Sequence, residues 1–223
     1  MRITLPSGTE AEIAWPDSGP EDDPPATGLV IAPDIFGLRP LFDDLCARLA
    51  QDWGVVACAP EPFAGLDLPP DVDARRPVVR DLIDAERLRD LGEAADATGC
   101  GRIVMIGFCM GGMYVHKAAA DERFERLVSF YGMIRVPEDW RGPGHGEPLD
   151  ALAGTDAGRV LAVIGELDPY TPPGDVDALE AVGAVVARYP EAEHGFVHDP
   201  NRPAHRADDA ADAWQRARDW LEL

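Results

Sequence analysis

Arg102-Ile103-Val104-Met105-Ile106-Gly107-Phe108-Cys109-Met110-Gly111-Gly112-Met113 is the stretch that decides the fold. A short apolar run reads as a buried strand. It ends at Gly107, and a helical pattern resumes by Met113. Between them lies Gly-x-Cys-x-Gly, the strand-turn-helix pattern Gly-x-Ser-x-Gly with cysteine in the serine position. A nucleophile on so tight a turn adopts a strained backbone, and side chains two residues before and after it would clash. Glycines at 107 and 111 remove that clash. The turn also sets the thiol at a helix N-terminus, whose dipole favours a thiolate. Taken alone, the pattern also suits a buried structural cysteine beside a Gly-rich helix start. A phosphate-binding loop is a poorer match, because neither GK[ST] nor G-x-G-x-x-G is present.

Outward from this turn, apolar strand-like runs alternate with amphipathic helical runs, the pattern of an α/β sheet. Arg2–Leu5 and Glu10–Trp15 read as a β-ribbon, followed by a Pro/Asp-rich turn over Pro16–Pro25. Gly28–Pro33 and Gly54–Ala59 read as strands. Between them, Pro40 opens a helix carrying Leu41, Phe42, Leu45 and Leu49 at helical spacing. Residues 60–74 read as a loop and Pro77–Ala97 as one long charged helix. Further strands are expected at Leu127–Tyr131, Val160–Ile164 and Ala184–Tyr189. Short and long helices are expected near Val176–Ala181 and Ala204–Leu221, the latter turning Trp214 and Trp220 inward. Residues 132–157, rich in Gly and Pro, read as a surface loop or partial lid. About eight strands with mostly helical connections predict a mostly parallel sheet covered on both faces.

Two further segments carry chemistry. Gly165-Glu166-Leu167-Asp168-Pro169 follows the strand Val160–Ile164, which puts Asp168 on the carboxyl edge of the sheet where α/β sites form. There a carboxylate can fix a histidine's tautomer, although Asp-Pro also makes an ordinary turn. Glu193-His194-Gly195-Phe196 follows the strand ending at Tyr189. Of the five histidines, His116, His145, His194, His198 and His205, only His194 lies just past a strand end in a Gly-containing loop. The order Cys109, Asp168, His194, each after its own strand, is the nucleophile–acid–histidine order of the α/β-hydrolase fold.

The 223 residues suffice for one core, and the expectation is a single domain over residues 1–223. Asp and Glu number 41 against 20 Lys and Arg, for a net charge of -21. Such a surface repels nucleic acid and anionic membrane, so neither is expected as a partner. The first residues lack the apolar core of a secretory signal, and no apolar run is long enough to cross a bilayer. Cys46, Cys58, Cys100 and Cys109 form no CxxC pair. They read as reduced thiols of a cytoplasmic protein, with no metal site.

With these residues in view, the chain resembles the dienelactone hydrolase family. The resemblance runs from about Leu29 to Leu221. It rests on Ala32-Pro33-Asp34-Ile35-Phe36-Gly37, Ala59-Pro60-Glu61-Pro62-Phe63, Gly107–Gly112, Phe130-Tyr131-Gly132, Gly165–Pro172 and His194-Gly195-Phe196. It implies Cys109 as nucleophile, His194 as base and Asp168 as its orienter. The backbone N–H groups of Ile35 and Met110 would form the oxyanion hole. The implied substrate is a small lactone or activated carboxylic ester, taken without cofactor by a monomer or homodimer. A general carboxylesterase or thioesterase with the same residues is an alternative, and so is a non-catalytic redox-sensing thiol protein.

The chain departs from the family in two places. Asp34 stands where the family typically has glutamate, a carboxylate thought to interact with the nucleophilic thiol. His198 stands where a substrate-clamping arginine is expected, leaving Arg202, Arg75, Arg76 or Arg80 as substitutes.

Overall fold

In a computed structural model, residues 1–17 and 25–223 are described, so most of the expected Pro16–Pro25 turn lies outside the described residues. The ribbon forms first: β1 (Arg2–Thr4) pairs antiparallel with β2 (Glu10–Ala14). Then come β3 (Thr27–Ala32), α1 (Pro40–Trp53), β4 (Val56–Pro60), α2 (Val72–Val79) and α3 (Asp84–Ala97). The second half is β5 (Arg102–Phe108), α4 (Met110–Ala118), β6 (Phe124–Phe130), α5 (Pro148–Ala153), β7 (Val160–Gly165), α6 (Pro173–Ala181), β8 (Val185–Tyr189) and α7 (Ala207–Trp220).

These strands make one eight-stranded sheet in the order β1-β2-β4-β3-β5-β6-β7-β8. The ribbon joins β4 antiparallel, and every pairing from β4 to β8 is parallel. The α/β-hydrolase architecture expected from the sequence is thus present. The physical cause is visible strand by strand: Leu29–Ile31, Val104–Ile106 and Val160–Ile164 are continuous apolar runs, buried on both faces. Such runs suit a parallel sheet sandwiched between helices. α1 and α7 share one face, where Trp53 meets Trp214 at 5.8 Å between rings. On the other face α4 packs against both α3 and α5. Trp214 does turn inward, its ring 5.0 Å from that of Phe130. Among the described residues, no helix is long and apolar enough to cross a membrane.

Two expectations need correction. The single helix over Pro77–Ala97 is two helices. Asp71 caps α2 by accepting from Asp73 N at 3.0 Å, so helix starts inside the segment read as loop. Ile83 is extended, φ -110° and ψ 117°, which breaks the chain before α3. The segment 132–157 is not simply a surface loop either. Met133, Ile134, Val136, Trp140, Leu149 and Leu152 are buried, and α5 packs on α4. Its apolar residues are few and aperiodic, so composition hid a packed element.

Asp84, at the start of α3, explains how that segment stays down. Its carboxylate accepts from Lys117 Nζ at 2.8 and 2.9 Å and from Gly146 N at 2.8 Å. Lys117 is buried on α4, and His145 beside it donates from Nε2 to Val79 O at 2.7 Å. Burial opposes charge on Asp84, but hydrogen bonds from His145 and Lys117 overcome it and hold the carboxyl below its usual 3.8. That stabilisation is present above about pH 3.8 and fades as the pH falls through the lower folded value. Asp84→Ala leaves the Lys117 ammonium buried without its partner, so it should cost about 3 kcal/mol in urea unfolding at pH 7. A loss within error of zero would show that the clasp is incidental.

Candidate active site

The elbow after β5 has the strain its sequence predicts. Cys109 is a non-glycine residue at φ 54°, ψ -115°, and it sits at the N-cap of α4. Such a conformation costs about 1–3 kcal/mol and survives only where its surroundings impose it. Here its N–H donates to Phe130 O at 3.0 Å and its carbonyl accepts from Met113 N at 3.0 Å. The flanking glycines are sterically required. A Cβ on Gly107 would lie 2.4 Å from Gly111 O, and one on Gly111 would lie 2.0 Å from Ala32 O. The second contact docks the elbow on the end of β3. Ile35, three residues past the end of β3, is buried. Met110 is the first residue of α4, so its N–H has no intrahelical acceptor.

The other two residues come from neighbouring strand ends. Asp168 follows β7 and His194 follows β8. Their loops are stapled together, with Glu166 N donating to Tyr189 O at 2.9 Å and Leu167 N to Ala192 O at 3.0 Å. His194 Nδ1 donates to Asp168 Oδ2 at 2.7 Å, while Asp168 Oδ1 accepts from Tyr170 N at 2.8 Å. With Nδ1 on the carboxylate, Nε2 is the nitrogen left for Cys109. Burial disfavours an imidazolium at His194, but the charge of Cys109 and hydrogen bonds to Asp168 and Cys109 push its pKa up to about 10. The Tyr170 ring covers His194 edge-on at 5.0 Å, and Arg76 donates to the Tyr170 hydroxyl at 3.0 Å.

Asp34 lies just past the end of β3, but its hydrogen bonds run away from the thiol. Oδ1 accepts from Phe36 N at 2.9 Å and Arg39 Nη1 at 2.7 Å. Oδ2 accepts from Arg39 Nη2 at 2.8 Å and His198 Nε2 at 2.9 Å. His198 in turn receives the Tyr131 hydroxyl at Nδ1. Arg39 and Tyr131 are site neighbours that sequence reasoning did not single out. For Tyr131 a signal existed: it directly follows β6 at the carboxyl edge of the sheet, before a glycine.

The substitute arginines separate clearly. Arg75 donates to the carbonyls of Pro69 at 2.8 Å, Leu68 at 2.8 Å and Ile35 at 3.3 Å, so it holds backbone. Arg80 ends α2. Arg202 lines an open cleft of about 490 Å³ with Phe36, Leu38, Leu68 and Pro70, together with Arg39, Arg75 and the acidic Asp199. Its guanidinium lies against the backbone next to His194: a Cβ on Gly195, at φ +80°, would sit 2.7 Å from Arg202 Nη1.

The profile of the dienelactone hydrolase family matches residues 17–223. The chain belongs to the dienelactone hydrolase family. A Yersinia pestis protein provisionally named a carboxymethylenebutenolidase is 31% identical over 98% of this chain and 86% of its own length. The carboxymethylenebutenolidase of Rhodococcus opacus is 28% identical over 87% of this chain and 80% of its own length. A crystal structure from Klebsiella pneumoniae subsp. pneumoniae MGH 78578, provisionally named a dienelactone hydrolase, superposes with a TM-score of 0.83 at 28% identity. It covers 100% of this chain and 98% of that one. Family membership makes this chain an enzyme that hydrolyses esters.

The electrostatics yield a direct expectation. His194 should keep both ring protons until the pH approaches about 10, as followed by ¹⁵N NMR. Its stabilising contribution is complete below about pH 6.5 and is lost as the pH rises toward about 10. In Cys109→Ala and Asp168→Asn the titration should move down toward 6.5. An unchanged titration in both variants would show that neither side chain governs the ring.

Proposed function

We propose that the chain hydrolyses lactones or activated carboxylic esters through Cys109, His194 and Asp168, by way of a thioester. The observation that carries this reading is the 2.7 Å bond from His194 Nδ1 to Asp168. That bond turns Nε2 toward a cysteine held at φ 54° on a helix N-terminus. A raised histidine pKa keeps His194 an imidazolium, the proton donor that a departing alcohol needs.

The Cys109 thiolate attacks the substrate carbonyl carbon, and the carbonyl electron pair moves to oxygen. Ile35 N–H and Met110 N–H receive that oxyanion, on charge that develops only in the tetrahedral state. Collapse expels the alcohol or enol oxygen, which takes the proton from His194 Nε2. Water then gives a proton to Nε2 as its oxygen attacks the thioester. The second collapse releases the acid and restores the thiolate beside an imidazolium. Asp168 holds the ring in register throughout.

Leaving-group chemistry narrows the substrate. A thiolate leaves a tetrahedral intermediate more readily than an alkoxide. The acyl-enzyme therefore accumulates only when the substrate's own leaving group is good, as in enol lactones and aryl esters. Phe36, Leu38, Leu68 and Pro70 give the cleft an apolar wall, and Arg202, beside Asp199, is the arginine we assign to a substrate carboxylate.

Cys109→Ala should lower kcat/KM on an enol lactone and on a p-nitrophenyl ester by about 10⁴-fold or more. Equal turnover by variant and wild type would remove the cysteine from the mechanism. A panel of p-nitrophenyl esters set against lactones separates a lactone enzyme from a general carboxylesterase. Arg202→Gln should raise KM about tenfold for a carboxylate-bearing lactone and leave a neutral aryl ester within twofold. Equal effects on both substrates would take the carboxylate away from Arg202.

A further inference from the structure

A line of hydrogen bonds crosses the floor of the site, and none of the steps above uses it. It starts at Arg39 on the oxyanion loop, passes through Asp34 and His198, and ends at Tyr131. Asp34, His198 and Tyr131 are all buried. The partners along the line order its protons. Burial opposes charge on Asp34, yet hydrogen bonds from His198 and Arg39 keep its carboxyl far below the usual carboxylate range. It is therefore ionised and can only accept. His198 must then carry its proton on Nε2. Burial lowers the pKa of this ring against the pull of Asp34, which favours the neutral imidazole. Its Nδ1 lone pair takes the Tyr131 proton. The order is Arg39 to Asp34, His198 to Asp34, and Tyr131 to His198. It gives His198 one ring proton, on Nε2, where His194 carries two.

Three parts of the site lean on this line. Asp34 also accepts from Phe36 N, which fixes the loop carrying Ile35. The His198 ring stacks on Phe108, the residue before the nucleophile, with centroids 4.7 Å apart at 24°. Tyr131 meets His194 edge-on, with centroids 5.2 Å apart at 67°. Tyr131 is itself pinned: it sits at φ 41°, and its N–H donates to Val163 O at 2.8 Å. With its hydroxyl proton committed to His198, Tyr131 has no proton to offer an oxyanion.

We propose that His198 and Tyr131 are positioning residues, forming with Asp34 and Arg39 a proton-ordered brace that aligns the oxyanion loop, the Cys109 elbow and His194. The brace rests on the assignment of Cys109, His194 and Asp168 made above. Misplacing a reacting group by fractions of an ångström slows the chemical step more than it weakens binding. Tyr131→Phe keeps the ring against His194 but cuts the last hydrogen bond. His198→Gln removes the junction.

Both variants should lose about tenfold in kcat on an aryl ester and on an enol lactone, with KM within about twofold. In the wild type, long-range ¹H–¹⁵N NMR at pH 7 should show His198 neutral with its proton on Nε2, a readout that needs no variant to fold. The brace is overturned if kcat stays within twofold of wild type in both variants, if the loss lies in KM alone, or if His198 carries its proton on Nδ1. Cys109→Ala, run alongside, keeps the two readings apart. If it is inactive while Tyr131→Phe and His198→Gln match wild type, the brace falls and the nucleophile stands. If it remains active, the nucleophile itself falls.

Discussion

The structure depends on one strained turn. Cys109 occupies a backbone region that a side chain rarely adopts, and it stays there because β5 and α4 leave no other path. Gly107 and Gly111 permit the turn, and the contact of Gly111 with Ala32 O seats it on the end of β3. That seat requires β3 beside β5, which the parallel pairing from Thr27 to Ala32 supplies. The elbow is thus a tertiary object built from local residues. Its strain is balanced by sheet packing some distance along the chain.

Around the turn, a parallel sheet gathers strand ends. The ends of β3, β5, β6, β7 and β8 deliver Asp34, Cys109, Tyr131, Asp168 and His194 to one edge. These five residues lie up to 160 positions apart in the chain, yet each is only a few residues from its strand. Two histidines reach the same floor in different states. Asp168 and Cys109 raise the pKa of His194 against its burial, while burial lowers that of His198 beside an Asp34 that Arg39 shares. The partners, more than the ring, set each role.

The loops decide what the edge can admit. Of the arginines at the cleft, Arg75 is occupied by backbone carbonyls and Arg39 by Asp34, while Arg202 shares the lining with Asp199; Arg76 is bonded to Tyr170. An acidic surface of net charge -21 surrounds this cleft with a repulsive field for anions. A substrate carboxylate would therefore be selected at close range, by geometry, and not by steering from afar.

The sequence by itself determined the strands, the elbow and the order Cys109, Asp168, His194, because periodicity and turn chemistry are local properties of adjacent residues. It also marked Asp34 and His198 as departures from the family pattern. It could not show that these two departures bond to each other. They are 164 positions apart, and only the docking of the loop after β8 on the loop after β3 brings Asp34 Oδ2 within 2.9 Å of His198 Nε2. Nor could it place Tyr131, whose left-handed turn is imposed by the neighbouring strand β7. The break at Ile83 and the burial of Trp140 and α5 escaped for the same reason. They follow from long-range partners, Lys117 for Asp84 and α4 for α5, that no local pattern encodes.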